Sequence, residues 1–162
     1  MEHGISSKNQ TRADNQQGRL DPWWIVGVVD GEGCFSISIV RNTTTKLGFQ
    51  VFPEFVVTQG AKSLSVLEDL QESFGCGKIY ENRRSDNHKE NLYRYCVRSV
   101  SDISSKVIPF FQNYPLQTAK QNDFIVFCQA IEMLKQKQHL TDEGFDHIKT
   151  LVATMNRRKT RG

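Results

Sequence analysis

The stretch Asp21-Pro22-Trp23-Trp24-Ile25-Val26-Gly27-Val28-Val29-Asp30-Gly31-Glu32-Gly33 constrains this chain more than any other. Asp is a good N-cap. Pro suits the first helical position, where its missing N–H would have had no partner. A helix is therefore predicted over Trp23–Glu32, with Gly33 able to end it. From Trp23 to Val29 it is apolar nearly all round, so it needs burial on more than one side. Gly27 and Gly31 are four residues apart and share one face. Each interior glycine costs about 1 kcal/mol against alanine, so something must compensate. Small faces at this spacing let a second helix backbone come close, a device best known in membranes. Here the expected partner is a second copy of the same helix. A single core helix that tolerates two glycines is the other reading of this segment taken alone.

The acids sharpen the point. Asp30 and Glu32 fall in the last turn, where the helix dipole is negative and disfavours carboxylates. A segment built for stability alone would place Lys or Arg there. Acids in that place imply a cation supplied from outside. If two such helices pack along their glycine faces, two Glu32 carboxylates meet and repel unless metal neutralises them. Hard oxygen ligands suit Mg²⁺. An exposed helix end whose acids face water is the alternative.

Downstream, the hydrophobic period switches. Phe35, Ile37 and Ile39 alternate with Ser36, Ser38 and Val40, which predicts a strand over Cys34–Arg41. A loop, Asn42 to Gly48, leads to a second strand over Phe49–Gln59. Its inner residues are Phe49, Val51, Phe55 and Val57, and Pro53 marks an edge or a bulge. Leu64, Leu67, Leu70 and Phe74 recur at helical spacing. Strands follow over Lys78–Asn82 and Leu92–Arg98, joined by a polar loop. Ser101 is the expected cap of a helix carrying Ile103, Val107, Phe110 and Phe111, which Tyr114-Pro115 breaks. A long helix is predicted from about Gln117 to Gln136, with Phe124, Phe127, Cys128, Ile131 and Leu134 inside. Thr141 caps a last helix with the inner stripe Phe145, Ile148, Leu151, Val152 and Met155. The order α-ββ-α-ββ-α-α-α is α+β: one four-stranded antiparallel sheet with helices on one face. Residues 1–20 read as a polar leader, 21–155 as one domain and 156–162 as a basic tail.

The 162 residues suffice for one sizeable core. No apolar run is long enough to cross a bilayer, and the N-terminus lacks the apolar core of a secretory signal. An intracellular setting is expected, in the cytoplasm or an organellar matrix. The net charge of +3 is too small to prove a nucleic-acid partner. Its distribution says more, because basic residues gather between Lys78 and Arg98 and in the tail. A solvated face fits that charge pattern equally well. Cys34, Cys76, Cys96 and Cys128 show no paired spacing for zinc. His3, His88, His139 and His147 form no cluster, and no Ser-His-Asp or Cys-His arrangement is visible.

The segment Ile25-Val26-Gly27-Val28-Val29-Asp30-Gly31-Glu32-Gly33 resembles the nine-residue motif that names the LAGLIDADG homing endonucleases. Both glycines, the first acid and the terminal acid-Gly pair are kept. Valine replaces the usual small second residue, and Glu the commoner final Asp. The likeness extends over the predicted element order from about Asp21 onward, and Tyr114-Pro115-Leu116-Gln117-Thr118-Ala119-Lys120 is similar to a Tyr-Pro-Leu-x-Thr-x-Lys stretch of the family.

The resemblance implies a site-specific double-strand DNA endonuclease. With one copy of the motif, it implies a homodimer on a long near-palindromic site, each subunit reading a half-site. It implies that Glu32 binds Mg²⁺ or another divalent cation, aided by the carbonyl of Gly31, with Asp30 more structural. Gln59 would order the attacking water and Lys120 would stabilise the charged phosphate, with Lys62 a further basic candidate. Gly27, Gly31 and Trp23 would lie in the dimer interface. The open sheet face would enter the major groove with Ser36, Ser38, Val40, Asn42, Gln50, Glu54, Val56, Lys78, Tyr80, Asn82, Arg94 and Arg98. Arg157, Arg158 and Lys159 would touch phosphate. Alternatives within the fold are an intron RNA maturase, with RNA as partner, and a non-catalytic DNA-binding protein.

Overall fold

A computed structural model describes residues 20–83 and 90–155. The expected leader, the middle of the polar loop, and the tail with Arg157, Arg158 and Lys159 lie outside these residues. Helix α1, Pro22–Glu32, starts as its sequence demands: the Asp21 carboxylate accepts a hydrogen bond from the Trp23 N–H at 2.8 Å. It passes straight into strand β1, Gly33–Arg41. Gly33 ends the helix in an extended conformation, and a Cβ there would meet Val29 Cγ1 at 2.7 Å and Val29 O at 2.8 Å. The junction therefore has room only for glycine.

Strand β2, Phe49–Gly60, pairs antiparallel with β1, Gly33 lying opposite Val57. A short 3₁₀ turn leads to α2, Leu64–Phe74. Strands β3, Lys78–Asn82, and β4, Leu92–Val97, complete a four-stranded antiparallel sheet of order β1-β2-β4-β3. Pro53 sits in an interior strand, yet β4 ends opposite Phe55. Pro53 thus has a neighbouring strand on one side only, where its missing N–H is tolerated.

Three consecutive helical pieces follow: α3, Val100–Asp102, a π-turn over Ile103–Val107, and α4, Ile108–Asn113. Ser99, not Ser101, is the cap; its Oγ accepts from the Asp102 N–H. Ser101 lies inside the helix, where its carbonyl accepts from Ser105 Oγ. Helix α5 runs Lys120–Lys135, and so starts three residues later than its polar N-terminal sequence implied. Helix α6, Asp142–Thr154, is capped by Thr141 as expected.

The odd-numbered strand residues form the core face. Phe35 is at its centre, with its ring against Phe55, Phe111, Phe124 and Phe127 at centroid distances of 5.1–5.6 Å. Val29, Val57, Leu67, Tyr95 and Ile148 are fully enclosed around it. Phe49 was expected inside but stays partly exposed, stacked on Phe145 at the rim. Cys128 is likewise only half-buried. The even-numbered residues are left on the opposite, helix-free face. The architecture therefore presents two open features: that sheet face and one side of α1.

Candidate active site

The C-terminal end of α1 is held from across the molecule. The Asp30 carboxylate accepts from the backbone N–H of Gln117 at 2.8 Å, from the N–H of Thr118 at 3.3 Å and from Thr118 Oγ1 at 2.7 Å. The Lys120 ammonium reaches back and donates to the carbonyls of Val29 at 2.7 Å and Asp30 at 2.9 Å. One clasp joins two termini: a carboxylate satisfies the donors entering α5, and an ammonium satisfies the acceptors leaving α1. The chain itself supplies one cation at this helix end, the ammonium of Lys120. Lys120 is thereby committed to helix carbonyls, a contact that a phosphate-stabilising role alone did not anticipate.

Burial pushes the Asp30 carboxyl up, but the Thr118 hydroxyl, the Gln117 and Thr118 N–H groups and the Lys120 charge outweigh it. They hold Asp30 below the ordinary carboxylate value of 3.8. Burial lowers the Lys120 pKa, against the opposing pull of Asp30 and Glu32. A depressed carboxylate pKa adds stability above the unfolded-state value, and that stability is lost as pH falls through the folded-state one. Asp30→Asn is therefore expected to cost about 1–2 kcal/mol at neutral pH, solvent screening keeping it below the value of a fully buried pair. Thermal unfolding across pH checks this: the deficit should shrink below the ordinary value of 3.8, and one unchanged in acid would contradict the clasp.

Glu32 follows this clasp and is exposed, as is Gly31. Gln59 lies two residues beyond the Gly33–Val57 pair, at the same end of the sheet, within β2 opposite Tyr93. Lys62 lies in the exposed 3₁₀ turn, its N–H donating to Glu90 at 2.6 Å. Glu32 and the Lys120 ammonium thus lie at this helix end, and Gln59 at the same end of the sheet. The outer side of α1 carries Gly27 and Gly31, where an added Cβ would meet nothing within 4 Å. Beside them Trp23 is 51% and Trp24 39% exposed. Val26, which stands at the motif's usual small position, points into the chain's own core and leaves the glycine face bare.

The sheet face carries the other expected residues. Ser36, Ser38, Val40, Gln50, Glu54, Lys78, Tyr80, Asn82 and Arg94 share it by register, and Arg98, one residue past the end of β4, joins it through Glu54. Three of them are tied to one another. Glu54, with a side chain only 18% exposed, accepts from Arg94 at 2.9 Å and from Arg98 at 2.6 Å. Arg98 also lies over the Tyr80 ring. The two arginines are thus ordered by a shared carboxylate before any partner arrives. Asn42 donates to Gln50 at 2.8 Å, ordering the loop end of the same face. Val56 is a correction: it is buried in a row with Cys34 and Cys96, so it is not available to a partner. Phe52 was left out of the expected set, although alternation places it among these residues and it is exposed.

The LAGLIDADG endonuclease model matches residues 25–131, from within α1 to within α5. The chain belongs to the LAGLIDADG endonuclease family. It is 37% identical over 143 residues to a probable intron-encoded endonuclease of Neurospora crassa, covering 88% of this chain and 26% of that protein. The crystal structure of the homing endonuclease I-TnaI superposes with a TM-score of 0.78 at 39% identity, covering 86% of this chain and 90% of that one. The meganuclease I-SmaMI, solved bound to uncleaved DNA in the presence of calcium ions, gives 0.79 at 34% identity, over 85% of this chain and 45% of that one. The chain thus spans about a quarter of the fungal relative, under half of I-SmaMI and nearly all of I-TnaI. These likenesses carry the family's α+β fold onto this chain; the match includes the clasp, Glu32 and the whole open sheet face. Among the described residues no helix is long and apolar enough to cross a membrane.

Proposed function

We propose that this chain pairs with a second copy along α1 and makes a site-specific double-strand break in DNA. The observation that carries the reading is the bare glycine face of α1, flanked by exposed tryptophans, on the same helix whose last residue is an exposed carboxylate. Pairing along that face brings two Glu32 side chains together. The match to I-TnaI, which this chain covers to 90% of its length, supports a reading built on one motif helix per chain. A two-fold pair implies a near-palindromic target. The intron-encoded relatives support action inside the cell, in the cytoplasm or an organellar matrix.

The donors fit a hard divalent cation. Glu32 and the Gly31 carbonyl offer oxygen, whereas Lys120 occupies the carbonyls of Val29 and Asp30. Among the described residues no three acids, histidines or cysteines of one chain gather into a metal-binding group. The second copy's Glu32 and a DNA phosphate would complete the site. Mg²⁺ bound there would polarise the phosphate and lower the pKa of a coordinated water. Glu32 would hold the ion. Gln59 would orient the attacking water from the strand end. Lys120 would fix the turn carrying Glu32 while adding positive charge beside the phosphate. The open face would read the half-site, with Ser36, Ser38, Val40, Asn42, Gln50, Lys78, Tyr80, Asn82, Arg94 and Arg98 toward the major groove.

The test uses the full chain and a duplex made by joining the sequences that flank its coding element. Mg²⁺ should support cleavage of both strands. Chelation with EDTA should stop cleavage while binding persists. Cleavage undiminished in chelator would remove the metal from the account. Binding without cleavage would favour a non-catalytic DNA-binding protein, and preferential binding of the intron RNA would favour a maturase.

A further inference from the structure

On the sheet face most positions are polar or charged, yet Phe52 is 44% and Val40 48% exposed there. Phe52 lies opposite Ser38 and Val40 opposite Gln50, so the two are diagonal neighbours, close enough for a ring to touch a valine. Along β2, Phe52 stands between Gln50 and Glu54. Gln50 is tied to Asn42, and Glu54 to Arg94 and Arg98. The apolar pair is therefore framed by ordered polar groups rather than set on a greasy surface. It is unlike Phe49, which is stacked on Phe145, and unlike Tyr80, which lies under Arg98. Side by side on a face that is otherwise polar, the two offer one small apolar spot against which an apolar group of a partner can be buried. In the major groove one base edge supplies such a contact: the 5-methyl group of thymine. The flanking cations, Arg94 and Arg98, give the face the charge that duplex DNA requires.

We infer that Phe52, with Val40 beside it, reads a thymine in each half-site through its 5-methyl group. The inference rests on the DNA-cleaving function proposed above, since it needs this face in the groove. Ser38 is six residues beyond Glu32 along the chain, which at about 3.3 Å per residue places Phe52 on the order of 20 Å from it. At about 3.4 Å per nucleotide step, the thymine falls roughly six base pairs from the strand break, in the outer half-site rather than at the centre.

The test selects bound duplexes from a randomised library with the full chain. Each thymine of the selected sequence is then replaced by deoxyuridine, which removes the methyl alone. Wild-type affinity should fall about fourfold at one thymine per half-site, the worth of one buried carbon. Phe52→Ala should bind the thymine duplex more weakly and show no further loss with uracil at that position. Phe52→Thr carries the same expectation and guards against a variant that loses its fold. An equal uracil effect in wild type and variant would overturn the inference, because the methyl would then act through DNA shape. So would the absence of any uracil-sensitive position, or a Phe52→Ala variant altered only in self-association. If the wild type selects no duplex at all, the DNA-cleaving reading falls and takes this inference with it. Sequence-specific binding without uracil sensitivity would sink the inference alone.

Discussion

Replacing Glu32 by Gln is expected to slow DNA cleavage by about a hundredfold to a thousandfold and leave DNA binding nearly intact. The side chain is exposed at the end of α1, so the amide costs the fold little. In the function proposed above, the amide removes the anionic donor that would hold the cation, and so weakens binding of the ion that would neutralise the pair. In that same function, DNA binding falls to the sheet face, whose arginines are ordered by Glu54 without help from Glu32. The two readouts should therefore separate: the single-turnover cleavage rate collapses while a gel-shift titration hardly moves. Parallel loss of both would mean that Glu32 holds the fold or the interface. Retention of cleavage within about tenfold would mean that it is not the metal ligand.

Gly27→Leu should act in opposite directions on the chain and on the pair. Within one chain a Cβ at Gly27 meets nothing within 4 Å, and leucine is a better helix former by roughly 0.5–1 kcal/mol. Thermal stability of the single chain should hold or rise. In the pair, two leucines enter a contact that glycine keeps thin. Overpacking of about 1–3 kcal/mol at each copy weakens association between roughly thirtyfold and twenty-thousandfold. Trp23 and Trp24 give a direct readout, being exposed in the single chain and flanking the same face. Wild-type tryptophan emission should move to shorter wavelength as concentration rises, and the variant's should stay at the exposed value. A variant that pairs as tightly as wild type would place the interface elsewhere.

The fold was largely legible because its signals are local. Asp21-Pro22 starts α1, Thr141 starts α6, and the alternation of Phe35, Ile37 and Ile39 sets which face of β1 is inside. The errors came where two local options compete. Ser99 and Ser101 are both sound caps, and only the Asp102 N–H within reach of Ser99 decides. The site was legible in its residues and not in its wiring. The reach of Lys120 to the carbonyls of Val29 and Asp30 spans some ninety positions, and no local pattern encodes it. The Glu54 bridge to Arg94 and Arg98 crosses two strands, and depends on a pairing register that the sequence does not state. Val56 has outward parity yet is buried, in the row Cys34-Val56-Cys96, and parity alone does not show this. Phe52 carried the converse signal: an apolar side chain at an outward position, visible from parity alone.

The central claim is that two copies meet on one DNA site through α1. Sedimentation of the full chain, 18.6 kDa, with a duplex carrying the cognate site measures this most directly. The account predicts two chains per duplex at saturation, with the assembly lost in Gly27→Leu. One chain per duplex, on a site that is nevertheless cut on both strands, would contradict it.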